Sequence, residues 1–436
     1  MRRLLARSCL LLTLPLTAGA SYARAQAALA ENRFDAAIAR IHDRFWQEIP
    51  REELEARALR ALVRELDPYG RVLDAADWSS FRDEISASFA GVGVVLELDA
   101  DAGLPRIQGL IVGSAAGAAG ARRGDRIEAI DAHPLAGLPL DDAFPRLRGE
   151  PGTHVRLRLS QPGGPKREID VVRKAHHMPS VHGVARDEDG DASYLLEPRN
   201  GIGYLRIEHL AKDSCASVAG ALARLASAGA TGLVLDLRGS YGGLKSAAVQ
   251  IADLFLAEGL LAGSEGRHDS TREIADPAVA WAGPLLVLID GDTASSSEFL
   301  AAALRDHGRA RFLGERTYGK GRIQEMFELG EGQGGLVLTT SRYVRPAGIA
   351  ADRHDPPPAG ASAGVFPDAD LEMRLEGEAL ASWRKGFELR ASPCPFTREE
   401  FAAAGPDPLL DRAVELLVEA VLVEAVPGTE SGGSVH

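Results

Sequence analysis

The sequence predicts a mixed α/β protein, in which a mostly parallel sheet with helices carries an inserted strand-rich domain and a helical N-terminal region. From residue 200 onward, short apolar runs alternate with helical patterns, an order typical of a parallel sheet that helices cover. Between residues 89 and 172 the pattern changes to short strands separated by turns. Residues 27–86 instead repeat apolar side chains at intervals of three and four, which indicates helices.

The chain has 436 residues, enough for two or three domains with separate cores. The changes of pattern divide it into five predicted segments. These are a signal peptide over residues 1–25, a helical N-terminal region over 26–86, a strand-rich domain over 88–175, a main α/β body with a C-terminal helical segment over 176–425, and a disordered tail over 426–436.

The first 25 residues have the layout of an export signal. Arg2 and Arg3 precede an apolar stretch over residues 9–16, and Ala23-Arg24-Ala25 fits a cleavage site before Gln26. The apolar stretch is shorter than the roughly 20 residues that span a bilayer. We therefore expect a periplasmic or secreted protein, with a retained membrane anchor as the alternative.

Charge and cysteine content exclude several classes of protein. Removing residues 1–25 deletes four arginines and no acidic residue, which changes the net charge from −13 to −17. Such a chain would not bind nucleic acid or an anionic membrane through its overall field. Cys215 and Cys394 could pair in an oxidising compartment, although nothing in their spacing indicates it. Neither C-x-x-C nor H-E-x-x-H occurs, so we predict no metal site and no cofactor.

The strand-rich domain contains two informative runs. Gly91-Val92-Gly93-Val94 lies at the start of a predicted strand, and its glycines permit a backbone whose consecutive N–H groups surround a carboxylate. The run from Arg122 to Asp131 has the pattern R-x-G-D-x-I-x-x-I-D. The simpler interpretation of the glycines is a bend, and the simpler interpretation of the domain is any small β-rich module.

A serine and a lysine stand out in the main body. Lys320 lies between two glycines and is one of six lysines, against 43 arginines. A buried lysine can lose its proton and act as a base, which arginine cannot do, and serine with a lysine base is an established pair for acyl transfer. Ser295 lies 25 residues earlier, after a predicted buried strand and before a predicted helix. The chemistry alone leaves the nucleophile open among Ser295, Ser296 and Ser297.

The simpler interpretation of Ser295 is a helix cap. Ser295-x-x-Glu298 is a capping box, in which the serine caps the helix and Glu298 reaches back. The same geometry could serve chemistry, because a helix N-terminus stabilises negative charge on an attacking oxygen. For Lys320 to act as a base its pKa must fall far below the ordinary lysine value, which burial without a carboxylate partner can achieve. No acidic residue occurs between Thr317 and Ile323.

These segments resemble the C-terminal processing peptidases, also called tail-specific proteases. In that family a serine in an S-A-S-A-S-E-like run works with a lysine in G-K-G-x-x-Q, and residues 293–298 and 319–324 are similar to these runs. Three further blocks match. They are Leu66-Asp67-Pro68-Tyr69, the embedded PDZ domain from Gly91 to Gly152, and the turn from Leu235 to Leu244. The resemblance covers roughly residues 30 to 420.

The resemblance implies a serine endopeptidase. Ser295 would be the nucleophile, with Ser297 as the fallback, while Lys320 would be the general base and Gln324 would orient its amine. The PDZ domain would capture chain ends at residues 91–94, so the implied partners are proteins or peptides with free C-termini. In that family an N-terminal helical region of this size often packs on a partner subunit, and the simpler interpretation is a lid on its own core. A homo-oligomer and an activating adaptor are both open.

Acyl transfer also needs hydrogen-bond donors for the developing oxyanion. The amide of Ser296, directly after the nucleophile, is one candidate, and Gly242 or Gly243 would supply the second. Here the chain departs from the family, because Gly239-Ser240-Tyr241 stands where N-x-P is common. The two glycines remain, so the oxyanion role is kept while the shape of the nearby pocket is open.

A second departure follows the strand that is predicted to end at Tyr343. The chain keeps Pro346-Ala347-Gly348 and then has a loop with Pro356-Pro357-Pro358 before Gly364-Val365-Phe366-Pro367-Asp368. We interpret this loop as tolerated surface variation, with a role in specificity as the alternative.

Two other functions compete with this assignment. The chain could be a peptide-binding scaffold, with a PDZ domain on a catalytically inactive body, although the serine, lysine and glutamine are all present. It could also be another type of serine enzyme. The S-x-x-K pair Ser382 and Lys385 lacks the S-D-N and K-T-G motifs of penicillin-binding acylases, and His209 or His307 as a base lacks a G-x-S-x-G motif.

Overall fold

The structure of the protein is a computed structural model that describes residues 33–86, 88–197, 201–355, 362–390 and 392–425. The predicted signal peptide, the predicted tail and the prolines at 356–358 lie outside these ranges. The described chain divides into two compact units, one formed by residues 33–72 with Leu336–Leu338 and the other by the remainder. The domain boundaries given above stay predictions.

The first unit is largely helical, as the pattern of residues 27–86 predicts. It contains the helices 33–44 and Arg51–Leu66 and the start of the strand Arg71–Leu73. Glu52 and Glu53 lie in the first turn of the longer helix, where the helix dipole favours acidic side chains. This helix ends at Leu66. The N–H of the following residue, Asp67, still donates to the carbonyl of Val63 at 2.9 Å, but Pro68 has no N–H with which to continue the helix.

Residues 88–177 form a strand-rich module of the second unit, here called the inserted domain. Its six-stranded antiparallel sheet has the spatial order Val94–Asp99, Leu104–Leu110, Arg126–Ile130, His154–Ser160 and Arg167–Val172, with Val94–Asp99 at one edge and the short strand His133–Pro134 paired with Arg126–Ile130. The remaining elements are the paired strands Ser88–Gly91 and Lys174–His177, the helices Ala115–Ala118 and Phe144–Leu147, and the 3-10 helix Leu140–Asp142. Val155, Leu157 and Leu159 alternate with exposed residues and fill the core of the domain.

The rest of the second unit is built on one mostly parallel sheet, here called the central sheet. Its strands lie in the order Val181–His182, Ile202–Ile207, Gly232–Asp236, Leu285–Ile289 and Arg311–Gly314, the last four parallel, while Leu195–Glu197 pairs antiparallel with Ile202–Ile207. Every residue of Gly232–Asp236 and Leu285–Ile289 is buried. A strand buried on both faces has no polar face, which explains the continuous apolar runs in the sequence.

Helices cover both faces of the central sheet. Ser214–Ser227, Lys245–Asp253 and Ser296–Asp306 share one core with the strand residues Leu235 and Val287. Arg398–Ala403 and Pro408–Ala425 share a second core with Val234 and Leu286. Successive residues of a strand point to opposite faces, so the two cores alternate along each strand. The carboxyl ends of the parallel strands meet at one edge, where sites in such sheets lie.

A second, antiparallel sheet, here called the hairpin sheet, is predicted from the sequence only in its strand near Tyr343. It contains Leu260–Gly266, Ser270–Ile274, Arg322–Glu328, Gly335–Arg345 and Gly348–Ile349. Every residue of Ser270–Ile274 and Arg322–Glu328 is exposed or only half-buried, so these strands lack the apolar alternation that would distinguish them from loops.

The remaining described elements are the helices Ala75–Ile85 and Gly377–Arg390 and the paired strands Ala185–Arg186 and Ala192–Ser193. Within the described ranges, no helix is both long enough and apolar enough to cross a membrane. Cys215 and Cys394 are free thiols, and burial raises the pKa of each, so the disulfide left open by the sequence is not formed.

Candidate active site

Ser295 lies where the strand Leu285–Ile289 leads through a turn into Ser296–Asp306, here called the serine helix. Its φ of 57° and ψ of −127° form a backbone conformation that costs a non-glycine residue about 1–3 kcal/mol. Asp290 fixes the turn by accepting the N–H groups of Gly239 and Thr293 at 3.0 and 2.9 Å. In α/β-hydrolases the nucleophilic serine lies on a strained strand-to-helix turn of this kind.

The three consecutive serines differ in their access to a substrate. Ser296 and Ser297 are at most 1% exposed, and their hydroxyls bond within the protein. Ser296 Oγ donates to the carbonyl of Gly243 at 2.7 Å, and Ser297 Oγ lies 2.7 Å from Ser240 Oγ. Ser295 is only half-buried. Of the three hydroxyls, that of Ser295 is therefore the one that a substrate could reach.

The carboxylate of Glu298 joins the serine helix to the segment that carries Lys320. Glu298 is 4% exposed, and its Oε2 accepts the main-chain N–H groups of Ser295 and Lys320, each at 2.9 Å. Its Oε1 accepts the hydroxyl of Thr317 at 2.6 Å and the N–H of Gly319 at 2.7 Å. Burial raises the pKa of Glu298, and these hydrogen bonds act against that rise.

Residues 317–321, here called the lysine loop, lead from the strand Arg311–Gly314 into the hairpin sheet. Lys320 is half-buried in this loop. The N–H of Tyr318 donates to the carbonyl of Thr293 at 3.0 Å, so the loop also bonds to the turn that precedes Ser295. The structure thus brings together two segments that are 25 residues apart in the sequence.

Gln324 lies on the strand Arg322–Glu328, which follows the lysine loop directly, and is half-buried there. Its Nε2 donates to Thr339 Oγ1 at 2.9 Å. This bond fixes the orientation of the Gln324 amide group. The amide oxygen is an acceptor and could receive a hydrogen bond from the amine of a lysine.

Gly242 and Gly243 follow the strand Gly232–Asp236 and approach the start of the serine helix. Their φ values of 98° and 140° are ones that glycine adopts at little cost. A Cβ on Gly242 would lie 2.8 Å from the Cβ of Ser295 and 3.0 Å from the amide nitrogen of Ser296. Only glycine permits this approach. Gly242 and the amide of Ser296, two of the predicted oxyanion donors, therefore lie beside Ser295.

A buried charge network lies at the start of the segment that leads to these glycines. The side chain of Arg238 is 3% exposed and lies 2.6 Å from Asp236 Oδ2 and 2.8 Å from Asp407 Oδ2. Burial disfavours the guanidinium charge, but the two carboxylates raise the pKa of Arg238 well above its ordinary value. Removing one partner of such a buried pair typically costs about 3–5 kcal/mol, so the network is a strong structural support for this turn.

Tyr241, where the chain departs from the family pattern, lies directly before Gly242. It is 48% exposed, and its ring stacks on that of His209 with centroids 5.9 Å apart and planes 5° apart. Both rings line a cavity of about 560 Å³ whose lining also includes Val92, Gly93 and Val94 of the inserted domain. One cavity therefore extends from Tyr241, the residue before Gly242, to residues 92–94.

The carbonyl groups of residues 91–93 are held by donors of the inserted domain itself. The donors are His176 Nε2 to Gly91 at 3.1 Å, the N–H of Ala116 to Val92 at 2.9 Å, and the N–H of Ile111 to Gly93 at 3.1 Å. The C=O and N–H of a trans peptide point in opposite directions, so the N–H groups of residues 92–94 point away from these donors. Gly93 has a φ of 78°, and a Cβ there would lie 2.5 Å from the His176 ring.

Comparison with known proteins places the chain in a family. The family model described as peptidase family S41 matches residues 201–370. A carboxyl-terminal-processing protease of Synechocystis sp. is 32% identical over 321 residues, which cover 73% of this chain and 71% of that protein. The chain belongs to peptidase family S41.

Other relatives of this S41 protease have similar names. A chloroplastic C-terminal processing peptidase of Tetradesmus obliquus is 33% identical, covering 73% of this chain and 68% of that protein. The solved structure of a photosystem II D1 C-terminal processing protease is 29% identical, covers 76% of this chain and 85% of that one, and gives a TM-score of 0.42. Membership of the family makes this chain a protease that acts on proteins or peptides.

Sequence reasoning about this S41 protease missed the position of Glu298. No acidic residue occurs between Thr317 and Ile323 in the sequence, but the fold brings the carboxylate of Glu298 to the main-chain N–H of Lys320. The capping box was the available signal, and it predicts only the bond that Glu298 makes with Ser295. The bonds to Thr317, Gly319 and Lys320 depend on tertiary contact and have no local signature.

Proposed function

We propose that this S41 protease is a serine endopeptidase in which Ser295 is the nucleophile, Lys320 the general base and Gln324 the residue that orients the lysine amine. The observation that carries the proposal is the pair of hydrogen bonds by which Glu298 holds the amides of Ser295 and Lys320. These bonds support a fixed spatial relation between a half-buried serine and a half-buried lysine. Positioning of this kind is what general-base catalysis requires.

In the proposed reaction, Ser295 Oγ attacks the carbonyl carbon of the scissile peptide bond and its proton passes to the neutral amine of Lys320. The oxyanion accepts hydrogen bonds from the amide of Ser296 and from that of Gly242 or Gly243. Lys320 then gives the proton to the leaving amine as the C–N bond breaks. Water, deprotonated by the same lysine, hydrolyses the acyl-enzyme and regenerates Ser295.

We further propose that the inserted domain is a PDZ domain that captures substrate C-termini. Among the described strands, Val94–Asp99 pairs on one side only, and an extended peptide could add on its other side as a further strand. The N–H groups of residues 92–94 would hold the terminal carboxylate. The cavity shared with Tyr241 supports a path from this anchor to Ser295, and the names of the relatives agree with cleavage near a C-terminus.

The proposed place of action is the periplasm or the outside of the cell. This rests on the N-terminal segment with Arg2, Arg3 and the apolar stretch 9–16, which lies outside the described residues.

A fluorophosphonate probe tests the assignment, because it reacts with an activated serine. Wild type and the matched control Ser297→Ala should be labelled and should cleave a peptide with a free C-terminus, whereas Ser295→Ala should do neither. Labelling that is lost in Ser297→Ala and kept in Ser295→Ala would move the nucleophile to Ser297. A folded wild-type protein that is neither labelled nor active would favour the peptide-binding scaffold instead.

A further inference from the structure

The loop that follows the strand Gly348–Ile349 packs against the lysine loop at the residues next to Lys320. The N–H of Arg353 donates to the carbonyl of Gly319 at 2.9 Å. The carboxylate of Asp352 accepts the N–H of Gly321 through Oδ2, also at 2.9 Å. Asp352 is 4% exposed, although it belongs to a loop that the sequence presents as surface variation.

The far end of the same loop, at Ala363, and the segment that follows it contact the lysine loop from its other end. The N–H of Thr317 donates to the carbonyl of Val365 at 3.0 Å, and the N–H of Val365 donates to Thr317 Oγ1 at 2.7 Å. A Cβ on Gly319 would lie 2.8 Å from the Cβ of Ala363. The interpretation of this loop as tolerated surface variation is therefore wrong for both of its described ends.

Three consecutive main-chain N–H groups around Lys320 are thus held by two buried carboxylates. Glu298 accepts those of Gly319 and Lys320, and Asp352 accepts that of Gly321. The peptide groups on both sides of the lysine Cα are fixed, which sets the direction in which its side chain leaves the main chain. Glu298 belongs to the serine helix, whereas Asp352 belongs to the loop that departs from the family pattern.

We propose that Asp352 is a positioning residue for Lys320, an inference that rests on the proposed function of that lysine. Asp352 acts through the peptide group of Gly321 and has no contact with substrate in this proposal. The close approach leaves little room for movement, because a Cβ on Gly321 would lie 2.8 Å from the carbonyl oxygen of Ala351. Misplacement of a reacting group by about 1 Å can cost roughly a hundredfold in rate.

Asp355 in the same loop provides a matched control. Its Oδ1 lies 2.5 Å from Arg322 Nη2, and Asp352 Oδ1 lies 3.8 Å from Nε of the same arginine. Asp355→Ala therefore tests the loss of an ion pair with Arg322 while the bond from Gly321 to Asp352 is kept. The position of Asp352 also permits a conservative rescue. In Asp352→Asn the amide oxygen can still accept the N–H of Gly321, whereas Asp352→Ala leaves that donor without an acceptor.

The experiment measures kcat, KM and the pH dependence of kcat for Asp352→Ala, Asp352→Asn and Asp355→Ala, together with thermal unfolding. A short peptide with a free C-terminus is the substrate. We expect Asp352→Ala to lose roughly tenfold to a hundredfold in kcat, with KM within about twofold of wild type. The pH range over which its rate rises should be displaced, because the lysine amine occupies a changed environment. Asp352→Asn should recover most of the rate, and Asp355→Ala should stay within about twofold of wild type.

Three results would overturn the inference. They are an unchanged kcat in Asp352→Ala, equal losses in Asp352→Ala and Asp355→Ala, or a loss that follows the unfolded fraction in the thermal measurement. If Asp352→Ala does not fold, Gly321→Ala is the second variant. It displaces the same peptide group and keeps the carboxylates of Glu298 and Asp352. An unchanged kcat in Gly321→Ala would also refute the proposal. Lys320→Ala distinguishes failure of the proposed base from failure of its proposed positioning by Asp352. Activity in that variant would refute Lys320 as the base, whatever the Asp352 variants show.

Discussion

Ser295 and Lys320 donate their main-chain N–H groups to one and the same atom, Oε2 of Glu298, each at 2.9 Å. The first bond belongs to a helix cap, and the second reaches a loop that follows another strand of the central sheet. Hydrogen bonds to a carboxylate are shorter and stronger than those between neutral groups. One buried side chain therefore couples the position of the serine to that of the lysine, and its removal should affect both.

Glu298→Gln should lower kcat/KM by about a hundredfold or more, because the amide replaces one accepting oxygen by a donor. Two of the four hydrogen bonds lose their acceptor, and a buried donor left unsatisfied costs about 1–3 kcal/mol. Peptide hydrolysis and thermal unfolding should both report the change. Glu415→Gln is the matched control, since Glu415 is an exposed residue that pairs with Arg412, and it should behave as wild type. A folded Glu298→Gln protein with a third of the wild-type rate would contradict the coupling.

The sequence predicts the parallel strands well and the contacts of the site poorly, for physical reasons. Leu285–Ile289 is buried along its whole length, so its apolar run is unmistakable. Ser270–Ile274 is half exposed and mostly polar, and such a hairpin strand has no comparable signal. Ser295, Lys320 and Gln324 were proposed from motifs, but Asp352 could not be, because its contact with Gly321 joins residues 31 positions apart. Local patterns predict elements and caps, whereas contacts between loops depend on how the elements pack.

Lys320→Arg should abolish peptide hydrolysis as completely as Lys320→Ala. Arginine keeps a positive charge at any working pH, so it cannot accept the proton of Ser295. For the same reason the rate of the wild type should rise toward alkaline pH as the lysine amine becomes neutral. Lys166→Arg is the control. Lys166 lies in the inserted domain and pairs with Glu128, so its replacement by arginine should leave the rate unchanged. More than about a tenth of wild-type turnover in Lys320→Arg would exclude the lysine as the base.

His182 should make the protein less stable in mild acid. Its side chain is 1% exposed, with Nε2 3.0 Å from Glu208 Oε2, and burial lowers its pKa below the ordinary histidine value. As pH falls through about 6.5, the unfolded chain takes up a proton that the folded histidine resists, so the free energy of unfolding falls. Between about pH 7.5 and about pH 5.5, the free energy of unfolding should fall in the wild type and should fall less in His182→Gln, which has no imidazole to protonate. Denaturant unfolding at several pH values measures this, and parallel curves for the two proteins would refute it.

Amidation of a substrate C-terminus should slow its cleavage. If the N–H groups of residues 92–94 hold the terminal carboxylate, the amide loses charge-assisted hydrogen bonds worth about 1.5–3 kcal/mol, or roughly tenfold to a hundredfold in affinity. Paired peptides that differ only in this group, compared at subsaturating concentration, measure the effect. A rise in KM alone would indicate simple tethering, and a fall in kcat as well would indicate that the inserted domain gates the site.

Gly93→Ala tests whether the slower cleavage of amidated peptides depends on residues 91–94. Gly93 has a φ of 78°, and a Cβ there would lie 2.5 Å from the His176 ring, so the substitution must distort the backbone that would surround the carboxylate. The variant should therefore cleave the free acid more slowly and discriminate less between acid and amide, while fluorophosphonate labelling of Ser295 continues. Equal cleavage of both peptides by the wild type would rule out tethering and gating alike. If Gly93→Ala discriminated as well as the wild type, the carboxylate would have to bind elsewhere on the protein.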